Sequence, residues 1–244
     1  MNKYLEYLQK KAEEFNFDLS GSQLDLFKKY WEILYEYNCH TNLVSSAEPE
    51  EVFVKHFTDS LSIGLLKTDL SWENDVKIID IGIGGGFPGI PILIANPHAR
   101  LCGVESVGKK VKFLEYLVKE LGISNRAEFF NGRVEELASD PEKREEFDIA
   151  VTRAVAQLNV ISEYCLPFVK PGGAFVAYKA KNIEDEILQA KAALSILGGK
   201  FENTVKYSIS TGEEFERTLV LINKIKKTPS KYPRKTGIPK KSPL

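Results

Sequence analysis

The residues best suited to do chemistry lie in a glycine-rich turn that follows a short, mostly apolar segment. The apolar segment is Ile78–Ile81, and the turn Gly82–Gly89 has glycine at positions 82, 84, 85, 86 and 89. Glycines let a backbone approach a ligand closely, and a helix that begins at such a turn offers unpaired N–H groups. The pattern predicts a strand, a cofactor-binding turn and a helix, although turns of this kind also occur without a ligand.

Two acidic residues and one aromatic residue indicate which cofactor this turn would hold. In the dinucleotide fingerprint G-x-G-x-x-G counted from Gly82, the third glycine falls on Phe87, whose bulk disfavours a pyrophosphate. Asp80 would repel a diphosphate, but it can orient an ammonium group. Glu105, 25 residues further on, can accept both hydroxyls of a ribose. These features favour S-adenosylmethionine, and a nicotinamide oxidoreductase is the alternative.

The elements that must position these residues alternate between short apolar runs and helical stretches. The predicted strands are Lys77–Ile81, Leu101–Glu105, Ala127–Asn131, Phe147–Thr152, Ala174–Lys179, Thr204–Ile209 and Thr218–Asn223. The predicted helices among them lie near Val107–Leu121, Ala156–Val169 and Glu184–Leu197. This alternation indicates a mainly parallel sheet with helices on both faces. Because no helix is predicted between the last two strands, joined through residues 210–213, they should pair antiparallel.

Helical patterns also fill the chain before the first strand. Ser20 and Gln23 have the spacing of a capping box, and Pro49 suits the first turn of a third helix. Trp31 and Trp72 are expected to pack rather than to stack on bases. We therefore expect a helical extension over residues 1–72 packed on a domain over residues 73–225, followed by a tail over residues 226–244.

The composition excludes several classes of protein. Of the 244 residues, 43% are hydrophobic and 27% are charged, which is typical of a globular chain with a buried core. No run approaches the roughly 18 apolar residues of a membrane helix, and the first residues show no export signal. The three cysteines form no CxxC pair, and His40 and His98 have no partner at ligand spacing. We expect a cytoplasmic protein with no metal site.

The net charge of −1 hides a strong asymmetry. Residues 224–244 contain eight basic residues and no acidic one, whereas the other residues contain 25 basic and 34 acidic ones. A near-neutral total therefore says nothing against a polyanionic partner, because the positive charge is local. The tail is a candidate for phosphate attraction, and a disordered solubilising end is the alternative interpretation.

Several further motifs extend the pattern over nearly the whole chain. In chain order they are Tyr37-Asn38, Thr41-Asn42-Leu43, His56 with Asp59-Ser60-Leu61, Asp80 to Pro88, Arg133-Val134-Glu135-Glu136, Thr152-Arg153-Ala154-Val155-Ala156, and the tail from Lys231 to Leu244. Together they resemble the RsmG (GidB) family, the bacterial 16S rRNA guanine-N7 methyltransferases. One departure is Lys179-Ala180, where the family commonly has Lys-Gly, so that a methyl group is added there.

The resemblance implies an α/β fold of the class I, Rossmann-like methyltransferases, with a seven-stranded mainly parallel sheet and an N-terminal helical extension. S-adenosylmethionine would be the cofactor and S-adenosylhomocysteine the product. The implied cofactor-binding residues are Asp80, Gly82, Gly84, Gly86, Phe87, Glu105, Val134, Glu135 and Arg153. The implied catalytic residues are Arg153 and Lys179. The implied RNA-binding residues are His56, Lys231, Tyr232, Arg234, Lys235, Lys240 and Lys241.

The implied substrate is one guanine, position 527 in the 530 loop of 16S rRNA. We expect a monomer that acts on naked rRNA, on the 30S subunit or on an assembly intermediate, with no membrane and no metal involved. Guanine N7 has a lone pair and no proton, so no general base is needed. The sequence agrees, because no Pro-Cys pair and no Asn/Asp-Pro-Pro-Tyr/Phe signature follows the fourth strand. Catalysis would then depend on positioning.

Three roles have simpler alternatives. Arg153 could donate to guanine O6 or to a phosphate, or it could only pair with a neighbouring carboxylate. His56 and Asp59 could contact RNA, but a structural hydrogen bond between the extension and the domain is the commoner outcome. The whole chain could also be a ribosome-associated binding module that keeps the fold without turnover, although the intact glycine turn and Glu105 argue against it.

Overall fold

A computed structural model describes residues 1–66, 75–153, 156–180, 183–210 and 214–244. The end of the extension with Trp72, the motif residues Ala154 and Val155, and residues 211–213 of the last strand connection lie outside the described residues. One seven-stranded sheet organises the rest, in the order β3-β2-β1-β4-β5-β7-β6. The strands are β1 Lys77–Ile81, β2 Arg100–Glu105, β3 Ala127–Asn131, β4 Phe147–Arg153, β5 Val169–Ala180, β6 Gly199–Ser210 and β7 Glu214–Lys224.

The direction of the strands confirms the expected α/β class. Strands β1 to β5 pair in parallel, whereas β7 runs antiparallel to both β5 and β6. The helices are α1 Asn2–Glu14, α2 Gly21–Thr41, α3 Asp59–Leu61, α4 Gly89–Ala95, α5 Gly108–Glu120, α6 Val134–Leu137, α7 Leu158–Cys165, α8 Glu184–Leu197 and α9 Ile238–Lys241. A π-helical segment, Glu51–Thr58, leads directly into α3. No described helix has the length and apolar content that a membrane span requires.

Several boundaries differ from the sequence-based expectation. Strands β6 and β7 begin at Gly199 and Glu214, before the predicted starts at Thr204 and Thr218. The helix predicted over Ala156–Val169 is shorter, because α7 ends at Cys165 and a single 3-10 turn containing Pro167 follows. Proline lacks the N–H that continues a helix, so the chain changes direction there. Strand β5 then begins at Val169, five residues before the predicted strand.

The core lies on both faces of the sheet, because alternate residues of a strand point to opposite sides. Ile78 belongs to the hydrophobic cluster that α4, α5 and the N-terminal helices cover, and Ile79 belongs to the cluster under α7 and α8. Strand order reverses between β1 and β4, the point at which open α/β sheets bind ligands beyond the carboxyl ends of their strands. The glycine turn and Arg153 both lie at that point.

The N-terminal helices pack directly on the sheet and on the glycine turn. The expected capping box is present at the start of α2, where Ser20 and Gln23 exchange hydrogen bonds. The Gln23 side chain also donates to the carbonyls of Ile94 and Ala95 at the end of α4. The hydrophobic cluster on this face contains residues from α1 and α2 together with residues from β1, α4 and α5. Extension and sheet therefore share one core.

The basic tail also follows a defined path over the domain. The Arg144 guanidinium donates to the main-chain carbonyls of Thr228, Pro229 and Tyr232. The Tyr232 ring is buried in the hydrophobic cluster under α7 and α8. These contacts order the chain beyond β7 without any long regular element.

Candidate cofactor and substrate site

The glycine turn uses backbone conformations that favour glycine. Gly82, Gly84 and Gly86 have φ values of +77°, +60° and +108°. A Cβ atom on Gly86 would lie 2.2 Å from the hydroxyl of Tyr30, and that hydroxyl donates a 2.6 Å hydrogen bond to the carbonyl of Gly85. Helix α2 thus supports the turn through Tyr30. Glycine is required at position 86 because its φ is positive and because Tyr30 leaves no space for a Cβ atom.

Asp80 is buried beneath this turn with half of its carboxylate unpaired. One oxygen, Oδ2, accepts a 2.8 Å hydrogen bond from the N–H of Gly89, whereas Oδ1 is buried with no hydrogen-bond partner. Burial raises the pKa of Asp80 to about 7, although the N–H of Gly89 and the charge of Arg153 oppose the rise. An unpaired buried carboxylate oxygen suits a cationic ligand group, so the site fits the ammonium of S-adenosylmethionine.

Glu105 ends β2 on the other side of the turn. Its Oε2 accepts a 3.2 Å hydrogen bond from the N–H of Gly84, and its Oε1 accepts a 2.9 Å hydrogen bond from the N–H of Val107. Each carboxylate oxygen has a second lone pair, so both remain available to a diol. Glu105 lines a cavity of about 380 Å³ together with Gly82, Val134 and Glu135. We call this the adenosine cavity.

A second cavity, of about 530 Å³, begins at the same glycine turn and extends toward the extension. We call it the substrate cavity, and its lining residues include Gly82, Gly84, Phe87, His56, Asp59, Arg153 and Lys179. Gly82 lines both cavities. Most of the expected cofactor and catalytic residues therefore meet at the turn. Asp80, beneath the turn, and Gly86, within it, are buried and are not among the residues that line either cavity.

Arg153 is held at the wall of the substrate cavity by the extension. Its Nη1 lies 3.0 Å from Oδ2 of Asp59, and its Nη2 lies 3.3 Å from Nδ1 of His56. The Cζ atom lies 5.0 Å from the ring centroid of Phe87. The expected alternative, an ion pair with a carboxylate, is thus present. So is the expected contact of His56 and Asp59 with the domain.

His56 is neutral in this arrangement. Burial and the adjacent Arg153 guanidinium lower its pKa to about 3. Arginine can only donate, so Nδ1 accepts from Arg153 and the proton of the neutral ring is on Nε2. The ring centroid of His56 lies 4.9 Å from that of Phe87. Phe87 therefore contacts both His56, on the π-helical segment, and Arg153, at the end of β4.

Lys179 lines the substrate cavity but is engaged elsewhere. Its ammonium forms an ion pair with Glu186 of α8 and donates a 2.6 Å hydrogen bond to the carbonyl of Ala156. A direct catalytic role of Lys179 stays a prediction. In the structure its ion pair with Glu186 links β5 to α8.

The expected RNA-binding residues of the tail fall into two groups. Lys231, Lys235, Lys240 and Lys241 are exposed, whereas Tyr232 is buried and Arg234 is partly buried. The Arg234 guanidinium pairs with the fully buried carboxylate of Glu163, with a shortest N···O distance of 2.6 Å. Tyr232 and Arg234 thus anchor the tail, and RNA contact by any of these residues stays a prediction.

Some residues of the site have no signal in the sequence. Tyr30 reads as one more apolar position of an amphipathic helix, yet its hydroxyl supports the glycine turn. Arg217, on β7, has its Nε 3.7 Å from Asp59 and lines the substrate cavity. Thr236 and Gly237 of the tail line the adenosine cavity. The only available hint was the charge of the tail, which points to phosphate rather than to the cofactor.

Comparison with known proteins identifies the family of this site. A family model described as GidB, rRNA small subunit methyltransferase G, matches residues 23–219. The chain belongs to this family. The ribosomal RNA small subunit methyltransferase G of an Exiguobacterium species is 43% identical over 228 residues, which cover 93% of this chain and 94% of that protein. The protein of the same name from Desulforamulus reducens is 41% identical over 244 residues and the full length of both chains.

Solved structures confirm the fold. An O-methyltransferase from Bacillus cereus in complex with SAH aligns with a TM-score of 0.56 at 15% identity, over 80% of this chain and 91% of that chain. The [4+2]-cyclase SpnF aligns with a TM-score of 0.53 at 16% identity, over 69% of this chain and 82% of that chain. The second case shows that this fold also serves other chemistry, so the family match rather than the fold establishes the activity.

A GidB-family protein is an S-adenosylmethionine-dependent rRNA methyltransferase, which decides against a nicotinamide oxidoreductase and against a binding module without turnover. Two features of the structure agree with this cofactor: the unpaired oxygen of Asp80 and the positive φ values of the glycines in the turn. The substrate class is ribosomal RNA.

Proposed function

We propose that this protein methylates N7 of guanine 527, in the 530 loop of 16S rRNA, by in-line transfer without a general base. When bound, S-adenosylmethionine supplies a methyl group on a sulfonium. Gly82, Gly84 and Phe87 would hold the middle of the cofactor, with Asp80 at its ammonium. Glu105 would accept the ribose hydroxyls, and Val134 and Glu135 would contact the adenine end.

The observation that carries the proposal is that the titratable groups of the substrate cavity are already engaged. Asp59 accepts from Arg153 and from the hydroxyl of Tyr207, at 3.0 and 2.6 Å. Glu51 is paired with Lys55 at 2.7 Å. His56 has its pKa lowered to about 3, so it is a very weak base. Among the described lining residues none is poised to remove a proton, which suits an acceptor atom that carries none.

Arg153 is proposed to position the base. Its two contacts with Asp59 and His56 fix the plane of the guanidinium over Phe87. A guanidinium has five donors, so further N–H groups remain for guanine O6 or a phosphate while N7 stays free to attack. Methylation makes the base cationic, which a nearby cation tolerates only when it binds O6 or phosphate. Holding the base in line is the contribution expected of this residue.

The target base must be accessible from outside a helix. N7 lies on the major-groove edge, which is deep and narrow in A-form RNA, so the guanine must lie in a loop or be flipped out. Lys55 and Arg217 line the substrate cavity, and the exposed tail lysines add positive charge. Phosphate attraction by these cations makes binding weaken with salt. We propose that the protein acts as a monomer in the cytoplasm.

The test is methylation with radiolabelled S-adenosylmethionine, followed by borohydride–aniline cleavage of the RNA, which breaks the chain at 7-methylguanosine. Naked 16S rRNA, 30S subunits and an immature 30S particle are compared side by side. We expect label and a single cleavage at position 527 in at least one of the three. Label without cleavage would mean another acceptor atom, and cleavage at another position would mean another target.

A further inference from the structure

The tail reaches the adenosine cavity, where nothing in the sequence places it. Thr236, Gly237 and Lys240 line this cavity opposite Glu105 and Glu135. The N–H of Gly237 donates a 3.3 Å hydrogen bond to Oε1 of Glu135. One wall of the cavity is thus formed by these three residues of the tail rather than by the sheet.

Three buried contacts anchor this part of the tail to the domain: the pair of Arg234 with Glu163, the Tyr232 ring and Pro239. Arg234 lies two residues before Thr236, and its backbone N–H and its guanidinium both donate to the carboxylate of Glu163. The Glu163 side chain is fully buried. Ionic hydrogen bonds of this kind are among the stronger ones in proteins. The Tyr232 ring is buried just before this pair, and Pro239 is buried within α9.

A solvated basic tail that only attracted phosphate would not need such anchoring. The chain is directed so that Thr236, Gly237 and Lys240 line the same cavity as Glu105 and Val134, the expected ribose and adenine contacts. Removing water from around a planar base strengthens each hydrogen bond made to it and adds apolar burial. The wall is therefore placed to raise affinity for the adenosine half of a ligand.

We propose that residues 236–240 are part of the cofactor site, so that S-adenosylmethionine and S-adenosylhomocysteine bind tightly only when the tail is docked. The inference rests on the proposed position of the adenosine end in this cavity, and not on the identity of the RNA target. It assigns to the tail a role in cofactor affinity beside any role in RNA attraction.

The test measures S-adenosylhomocysteine binding by calorimetry in the absence of RNA. A chain truncated after Lys235 keeps Tyr232 and the Arg234–Glu163 pair but lacks the wall. Loss of contacts of about 1–2 kcal/mol in total corresponds to a Kd about tenfold higher. Circular dichroism and thermal unfolding show whether the truncated chain is folded. A folded, truncated chain that binds with the Kd of the intact protein would overturn the proposal.

Two neighbouring lysines provide a matched pair that leaves the chain intact. Both Lys240 and Lys241 are exposed, but only Lys240 lines the cavity. We expect Lys240→Ala to raise the Kd for S-adenosylhomocysteine about threefold or more, and Lys241→Ala to change it by less than about 1.5-fold. Equal effects of the two variants would show that only the charge of the tail matters, and the proposal would be wrong.

A third variant separates this proposal from the placement of the cofactor. Glu105→Gln removes the charged acceptor expected at the ribose and should weaken S-adenosylhomocysteine binding whatever the tail does. If Glu105→Gln weakens binding and the truncation does not, the tail proposal alone fails. If neither variant changes the Kd, the adenosine end lies elsewhere and both placements fail, while mapping of the methylated base still decides the RNA target.

Discussion

Replacing Asp80 by asparagine should change how the stability of the ligand-free protein depends on pH. Burial raises the pKa of Asp80 to about 7, from 3.8 in an unfolded chain. Between these values the folded protein keeps the proton that the unfolded chain has already lost. The unfolded state then binds fewer protons, so the free energy of unfolding falls as the pH rises. Asparagine cannot ionise and removes this dependence.

The size of this change in the free energy of unfolding follows from the interval between the unfolded pKa of 3.8 and the folded pKa of about 7. Each pH unit between the two pKa values corresponds to about 1.4 kcal/mol. Between pH 5 and pH 7 the wild type should therefore lose about 2 kcal/mol relative to Asp80→Asn, because the folded-state carboxyl is itself half ionised at pH 7, and the difference should level off above pH 7. Below pH 3.8 the carboxyl is protonated in both states and the effect is absent. The carboxylate thus destabilises the empty site at neutral pH, and an ammonium group would relieve it.

Urea unfolding of the ligand-free protein at pH 5, 6, 7 and 8, followed by circular dichroism, gives the required free energies. The other titratable groups are common to the wild type and Asp80→Asn, so their contributions cancel when the two free energies of unfolding are subtracted. Glu142→Gln, which removes an exposed acid that lines neither cavity, is the control and should follow the wild type. In calorimetry, Asp80→Asn should bind S-adenosylhomocysteine more weakly. Parallel pH curves for wild type and Asp80→Asn would refute the argument.

Further predictions concern residues that fix the geometry of the site. Gly86→Ala should lower the free energy of unfolding in urea by about 2–4 kcal/mol, because its φ is +108° and the new Cβ would meet the hydroxyl of Tyr30. Arg234→Ala removes the cation that pairs with the buried Glu163 carboxylate, leaving only the backbone N–H of residue 234 as donor, and should cost about 3–5 kcal/mol in the same assay. With S-adenosylmethionine at a saturating concentration, Arg153→Ala should slow single-turnover methylation by at least about tenfold; full activity would exclude the positioning role.

The parts of the fold that local patterns encode could be predicted from the sequence. Strands Lys77–Ile81 and Ala127–Asn131 and the helix Glu184–Leu197 have the expected bounds, because apolar runs and capping residues act over a few positions. The glycine turn was recognisable for the same reason. Its neighbours Asp80 and Glu105 come together because parallel strands end at one edge of the sheet.

The partners that meet across distant segments could not be predicted, although an ion pair of Arg153 and a contact of His56 and Asp59 with the domain were among the expectations. Arg153 and Asp59 are 94 residues apart, and Arg234 and Glu163 are 71 residues apart. Neither pair has a spacing that a local pattern reveals, since the partners meet only after the sheet has formed. For the same reason nothing in the sequence singles out Tyr30, and the charge of the tail indicates phosphate binding without a sign that the tail borders the cofactor.

The contact of Phe87 with the extension has a consequence for how the molecule unfolds. The ring stacks on Tyr30 at a centroid distance of 5.4 Å and contacts Phe57 and His56, so this residue of the glycine turn is packed against the N-terminal helices. An excised sheet domain would expose this aromatic surface to water and would lose the partners of Arg153. We therefore expect one cooperative transition for the whole chain, in which the binding site and the extension melt together.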